Sequence, residues 1–209
     1  MKVRILFLIC FLSITCLLNA AAKPVIQIHT DNSSLIFRVA DNGRLYQSYL
    51  GKKLNHEADI SHLPQGTEAY ITHGMEDYFE PAIHILHNDG NPSLLLKYVS
   101  HETKAVSQGV NETIITLGDD KYPVTVKLHY VTYPAEDIIK TYTEISHKEK
   151  KPVVLHQYAS SMLHLNRAKY YLTEFSGDWA HEANISDQPL EFGKKVLDTK
   201  LGDRANMFT

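Results

Sequence analysis

Carboxylates crowd one long polar stretch of the chain, residues 55–81, which lacks a clear strand pattern. The group comprises Asp59, Glu68, Glu76, Asp77 and Glu80. A carboxylate nucleophile and a carboxylic acid about 5–5.5 Å apart can hydrolyse a glycosidic bond with retention of configuration. The same residues can instead cap and solvate a long loop, because connecting segments run over the surface. The residue types alone leave both interpretations open.

The residues that could bind a metal ion, histidine and cysteine, do not have the spacing of a metal site. The chain has 12 histidines, yet none forms a His-x-x-x-His pair on a predicted helix. His84 and His87 are three residues apart, so on a strand their side chains point to opposite faces. Both cysteines, Cys10 and Cys16, lie within the first 22 residues. We therefore expect no metal site, no disulfide and no cofactor. The remaining histidines lie mostly on separate predicted strands, among them His129, His147, His156 and His164.

Residues 1–22 have the pattern of a secretory signal peptide. Lys2 and Arg4 precede an apolar run over 5–18, and small residues follow at 20–22. A membrane-spanning helix needs about 20 apolar residues, which this run does not reach. We expect cleavage near residue 22, an exported protein that is periplasmic or secreted, and no membrane attachment after cleavage.

The charge of the chain argues against nucleic acid as a partner. The 24 acidic residues outnumber 21 basic ones, for a net charge of −3. Removal of Lys2 and Arg4 with the signal peptide makes the charge more negative. Nucleic-acid binding needs a basic surface.

The apolar residues of 23–209 recur with period two almost throughout. Residues 124–130 alternate in this way, and so do 26–30 and 138–145. Turn sequences such as Asp41-Asn42-Gly43 and Asp89-Gly90 separate the runs. No window has a convincing helical period. We predict an all-β fold of two large antiparallel sheets packed face to face. Further predicted strands are 34–39, 44–50, 83–87, 94–103, 112–117, 153–160, 170–175 and 191–199.

Several motifs resemble the N-terminal domain of glycoside hydrolase family 36, the α-galactosidases. An early strand pair over 43–54 is followed by an aromatic and acidic loop that runs into a strand and an Asp-Gly-Asn turn over 68–101. A hairpin over 122–145 comes next, and 171–182 resembles the Gly-x-Trp turn of the family. The order and spacing of these motifs carry the resemblance across most of 23–209.

The resemblance implies a two-sheet antiparallel β-supersandwich over 23–209, followed in the family by a (β/α)₈ barrel and a small β domain. The family hydrolyses terminal α-galactosides with retention, and its two carboxylates come from the barrel. We therefore expect no catalytic residue in this stretch. We also expect a chain that stops before the barrel, and a parent enzyme that is a homo-oligomer. Capping and solvation become the favoured role of the carboxylates in 55–81.

The resemblance also suggests residues with supporting roles. A family loop after the first hairpin can give a carboxylate to sugar hydroxyls, and Asp59 is the matching position. Trp179 could stack on a sugar, although a packing role beside Gly177 is favoured. Aromatic and acidic residues near the long loop are expected to contact the barrel or a neighbouring subunit, because exposed aromatics mark interfaces. The expected interface residues are Tyr70, Asp77, Tyr78, Phe79, Glu80 and Trp179.

Two other functions stay open at the level of sequence. One is a free-standing carbohydrate-binding protein, and the other is a structural or subunit-interaction module. They differ from the first hypothesis in whether a catalytic barrel accompanies this domain.

Overall fold

The computed structural model describes residues 23–75, 80–165, 169–178 and 181–198. These residues form β-strands connected by turns, with one helix of five residues. The all-β prediction is confirmed. Within the described ranges, no helix has the length and apolarity that a membrane crossing needs. The elements are β1 (Val25–His29), β2 (Ser33–Val39), β3 (Leu45–Lys52), α1 (Glu57–Ser61), β4 (Thr67–Glu68), β5 (Ile83–Leu86), β6 (Leu96–Ser107), β7 (Val110–Asp119), β8 (Val124–Tyr133), β9 (Ile138–His147), β10 (Val154–Tyr158), β11 (Tyr171–Asp178) and β12 (His181–Pro189).

The chain divides into two compact units, residues 1–163 and 164–209. In the first unit, β1-β2-β3-β4 form one antiparallel sheet and β6-β7-β8-β9 form another. Strands β5 and β10 pair with each other in a separate two-stranded sheet. The second unit contains the antiparallel ribbon β11-β12.

A single apolar core joins the two large sheets of the first unit. The alternation seen in the sequence explains it, because successive side chains of a strand point to opposite faces. On β8, Val126 and Leu128 are buried in the core, whereas His129 belongs to the other face. The ring of Phe37 on β2 lies 5.1 Å from that of Tyr130 on β8. The predicted packing of two antiparallel sheets is therefore confirmed.

One strand prediction near the end of the chain is wrong. Residues 191–198 contain no strand, whereas His181–Pro189 form β12, which the sequence pattern did not indicate. Its described side chains are almost all solvent-exposed, so no apolar alternation marks it. Backbone pairing with β11 defines β12 instead. Position 199 of the predicted strand lies outside the described residues.

Candidate functional site

The segment 53–66, between β3 and β4, carries the position that the family resemblance assigns to sugar contact. Both ends of the segment are fastened to strands. The backbone N–H of Leu54 donates to Ser34 Oγ at 2.9 Å. The hydroxyl of Ser48 donates to the carbonyl of Gln65 at 2.9 Å. A long connection is thereby held against β2 and β3 at its two ends.

The middle of the segment is fastened as well. Arg38 on β2 donates from Nη2 to the carbonyl oxygen of Ile60, the last carbonyl but one of α1. Ile60 is itself buried, with 4% of its surface exposed. The Nε atom of Arg38 is buried and has no hydrogen-bond partner among the described residues. The guanidinium therefore ties α1 to the sheet, and Ile60 anchors it by apolar burial.

Gly66 closes the segment where it meets β3. Its φ angle is +83°, a conformation that residues with a Cβ rarely adopt. A Cβ built there would lie 1.9 Å from the carbonyl oxygen of Gln47. Glycine is thus required on two counts, the backbone angle and the close approach of another strand.

Asp59 lies in the first turn of α1 and is solvent-exposed. Its side chain makes no hydrogen bond within the described part of the chain. Glu57, in the same turn, is also exposed and accepts a long bond from Gln27 Nε2 at 3.5 Å. An ionised carboxylate accepts hydrogen bonds from hydroxyl groups. The anchored segment therefore presents a carboxylate that is free to bind a hydroxyl-rich ligand.

The expectation that Tyr70 is an exposed interface aromatic is wrong. Tyr70 is a core residue with 2% of its surface exposed, and its hydroxyl donates to the carbonyl of Ala159 at 2.8 Å. Burial raises the pKa of the Tyr70 hydroxyl. Tyr70 lies between the buried residues Ala69 and Ile71, so its ring belongs to the core.

The other expected interface residues are only partly described. Glu80 is exposed and accepts a hydrogen bond from Gln157 Nε2 at 3.3 Å. Its neighbours Asp77, Tyr78 and Phe79 lie outside the described residues, and so does Trp179. Their interface role stays a prediction.

A buried polar cluster lies on the face of β7, β8 and β9 that points away from the core. Glu112 accepts a hydrogen bond from Tyr142 at 2.5 Å and contacts His129 Nδ1 at 2.9 Å. Lys104 Nζ lies 3.0 Å from the second carboxylate oxygen. The His129 and Tyr142 rings stack at 4.2 Å. The other ring nitrogen of His129 has no hydrogen-bond partner within the described ranges and lies 3.8 Å from Glu144 Oε2.

This cluster holds Glu112 in its ionised form. The hydrogen bonds from Tyr142 and His129, together with Lys104, lower the pKa of the Glu112 carboxyl to about 2, against the opposing effect of burial. The sequence alternation places each of these side chains on the outer face of its strand. Strand register, which the sequence does not reveal, brings them together.

A second buried pair fastens the turn after β5. His87 Nδ1 lies 2.7 Å from Glu149 Oε1, and both side chains are almost fully buried. The backbone N–H of Asn88 donates to Glu149 Oε2 at 3.0 Å. The ring of Tyr122 stacks on His87 at 3.5 Å. Although burial works in the opposite direction, these bonds lower the pKa of the Glu149 carboxyl.

Several ionisable groups of the described residues are engaged in structural hydrogen bonds. A general acid of a glycosidase needs a raised pKa. The pKa is lowered at five described carboxyl groups, namely Asp41, Asp89, Glu112, Asp137 and Glu149. The described residues also contain no group of three or more His, Cys, Asp or Glu side chains that could hold a metal ion.

Two curated relatives are fungal. Probable alpha-galactosidase G of Aspergillus terreus is 24% identical over 142 residues, which make up 62% of this chain and 20% of the relative. Alpha-galactosidase C of Emericella nidulans is 25% identical over the same length, 62% of this chain and 19% of the relative. The chain therefore spans about a fifth of the length of these curated relatives.

Solved structures share the fold. The family 36 α-galactosidase AgaA from Geobacillus stearothermophilus superposes with a TM-score of 0.73 at 19% identity, over 81% of this chain and 28% of that chain. The galactosidase domain of the α-galactosidase–sucrose kinase AgaSK gives a TM-score of 0.72 at 21% identity, over 81% and 28% of the two chains.

The family model for the glycosyl hydrolase family 36 N-terminal domain matches residues 43–208. The match begins at the turn before β3. It includes the anchored segment 53–66, the His129–Glu112 and His87–Glu149 contacts, and the ribbon β11-β12. Because it covers most of the sequence, the chain belongs to the glycosyl hydrolase family 36 N-terminal domain family.

Proposed function

We propose that this chain is the N-terminal, non-catalytic domain of an exported α-galactosidase-type glycosidase. A catalytic (β/α)₈ barrel would supply the two carboxylates and hydrolyse terminal α-galactosides. The family match over 43–208 carries the proposal. The share of the relatives that the chain spans, 20% and 19%, supports a larger parent enzyme.

Asp59 is the residue that we propose for substrate contact in that enzyme. The support is the anchoring of its segment by Arg38, Ser48 and Gly66, together with an exposed carboxylate on α1. A rigid segment positions a polar group without the entropic cost of ordering a loop on binding. Asp59 would accept hydrogen bonds from sugar hydroxyls at the rim of the barrel, while Glu80 and the nearby aromatic residues would contact the barrel or a second subunit of a homo-oligomer.

The test is an activity assay on the purified chain. We expect no hydrolysis of an aryl α-galactoside, because the family resemblance places both catalytic carboxylates in the barrel. Hydrolysis that is retained through purification and lost in Glu80→Gln would contradict the proposal. Coding sequence for a barrel downstream of Thr209 would support it independently.

A free-standing carbohydrate-binding module is the second candidate. One observation favours it, because the first unit encloses a core of its own, drawn from both large sheets. Titration of the chain with galactose and raffinose, followed by NMR, separates the two candidates. Millimolar or tighter binding by the chain alone, lost in Asp59→Ala, would favour the module.

Export rests on the signal-peptide pattern of residues 1–22. Expression of the whole chain in a bacterial host, followed by mass spectrometry of the product, tests it. We expect periplasmic or secreted protein with a new N-terminus near residue 23. Unprocessed protein in the cytoplasm would contradict export.

A further inference from the structure

Three histidines meet at the sheet formed by β5 and β10. His73 lies in the segment between β4 and β5, His84 on β5, and His156 on β10. The His84 ring is in the middle: its centroid is 3.7 Å from that of His73, with 25° between the planes, and 4.8 Å from that of His156. His73 and His84 are half-buried, and His156 is exposed. We refer to these three rings as the imidazole stack.

The stack differs from the two buried histidine contacts of the first unit. His87 and His129 each lie against a buried carboxylate, Glu149 and Glu112 respectively. No carboxylate among the described residues pairs with a ring of the stack. The described residues also contain no three-ligand metal group. Positive charges on two neighbouring rings of the stack would repel each other.

The elements that carry the stack bring few other charges to it. Residues 72–75 and β5 add no titratable group besides His73 and His84, and β10 adds only the phenol of Tyr158. Glu80 is the nearest described carboxylate in the chain, and it accepts from Gln157 on β10. Positive charges on neighbouring rings at these separations repel each other, and these elements bring few negative charges that could offset the repulsion. Burial, followed by charge on His73 and His156, lowers the pKa of His84 below its ordinary 6.5.

The pairing of β5 with β10 is a weak point where such repulsion would act. Among the named strands β10 pairs with β5 alone, and its side chains are mostly exposed. The register shifts between Leu155 and Gln157, so His156 is unpaired, while Gln157 faces His84. We propose that the imidazole stack is an acid-sensitive contact, which stabilises the β5–β10 pairing at neutral pH and loosens it in mild acid.

The direction follows from proton linkage. A histidine that is held neutral in the folded state binds its proton more tightly when the contact opens. The stabilising contribution is therefore complete above pH 6.5, the ordinary value for histidine, and it is lost as the pH falls through the lower value in the folded chain. One unit of pKa difference corresponds to about a tenfold change in the opening equilibrium.

Hydrogen–deuterium exchange of the full chain at pH 7.5 and pH 5.5, corrected for the intrinsic exchange rate, tests the proposal. We expect protection of peptides over 81–87 and 153–160 to fall several-fold at pH 5.5. Peptides over 110–133, in β7 and β8, should keep their protection. In His84→Gln and His156→Gln the acid effect should shrink by at least half. Because His156 is exposed, His156→Gln should fold even if His84→Gln does not.

His56→Gln is the matched control, since His56 is exposed at the start of α1 and makes no side-chain cap. It should keep the full acid effect. An acid effect that is equal in all strands, absent in the parent chain, or unchanged in His156→Gln would overturn the proposal. Increased protection of 81–87 on addition of zinc ions at pH 7.5 would also overturn it, because the rings would then be metal ligands.

Discussion

Gly66→Ala offers a quantitative test of whether the Asp59 segment is held as the structure indicates. Two costs add at this position. The backbone angle of +83° costs a residue with a Cβ about 1–2 kcal/mol. The new Cβ would also lie 1.9 Å from the carbonyl oxygen of Gln47, and relieving such overpacking costs about 1–3 kcal/mol more. We expect a loss of about 2–5 kcal/mol in the free energy of unfolding.

Gly90→Ala is a control that separates the two costs. Gly90 has nearly the same backbone angle, +84°, but nothing lies within 4 Å of its built Cβ. Its substitution should therefore cost only the backbone contribution, about 1–2 kcal/mol. The difference between the two variants isolates the contact of Gly66 with β3.

Urea denaturation followed by far-UV circular dichroism measures both variants against the parent chain. Equal denaturant dependence would show that the two variants unfold from comparable states. If the two losses agree within about 0.5 kcal/mol, the normal scatter of surface substitutions, the segment moves freely enough to accept a Cβ. The reasoning that Gly66 fixes the segment, and with it the position of Asp59, would then be wrong.

Three further predictions concern Glu112, the buried hydroxyl of Tyr70 and the ribbon. Glu112→Gln should lower the free energy of unfolding by about 1.5–3 kcal/mol at pH 7, as expected for hydrogen bonds to a charged group. Because the pKa of Glu112 is lowered to about 2, this stabilisation is present above pH 4.5 and is lost as the pH falls toward 2. Urea titrations at pH 7 and pH 3 check it, with the half-exposed Glu144→Gln as a control that changes stability by less than about 0.5 kcal/mol. Tyr70→Phe should lower the free energy of unfolding by about 1–2 kcal/mol, because the carbonyl of Ala159 loses its hydroxyl donor, and a neutral result would exclude that bond. The purified chain should self-associate in size-exclusion chromatography with light scattering, since Tyr171, Phe175 and Ile185 of the ribbon are 70%, 55% and 66% exposed. The double variant Phe175→Thr with Ile185→Thr should raise the monomer fraction. A parent chain that is already monomeric would refute this prediction.

The sequence predicted the parts of the fold that depend on apolar alternation. Strand β8 is the clearest case, because its core residues at 124, 126, 128 and 130 alternate with polar ones. Strand β12 shows the limit: residues 181–189 lack that alternation, and the strand exists through backbone pairing with β11. The short helix α1 likewise has only Ile60 buried, too little to produce a helical period.

The polar clusters could not be predicted, because they depend on register and on distant contacts. Glu112 and His129 are 17 residues apart, and His87 and Glu149 are 62 apart. A shift of one residue in the pairing of β7 with β8 would separate Glu112 from His129, whereas His87 and Glu149 meet through a contact between two turns. The imidazole stack could not be predicted either, because its three rings come from three parts of the chain that are distant in sequence. The exposure of Asp59, in contrast, is consistent with the polar sequence around it.

The distribution of carboxylates explains how one domain can be both stable and available to a partner. Glu112 and Glu149 are buried and fully engaged by hydrogen bonds, so recruiting either one for a ligand would leave its partners unsatisfied at a cost of about 1–3 kcal/mol per group. Asp59 is already exposed on an anchored segment, and its hydrogen bonds to water can be exchanged for bonds to sugar hydroxyls without disturbing the core. Contact with a barrel or a sugar through segment 53–66 would therefore leave the buried pairs intact. This separation favours a domain that shapes a binding site and leaves the chemistry to another part of its enzyme.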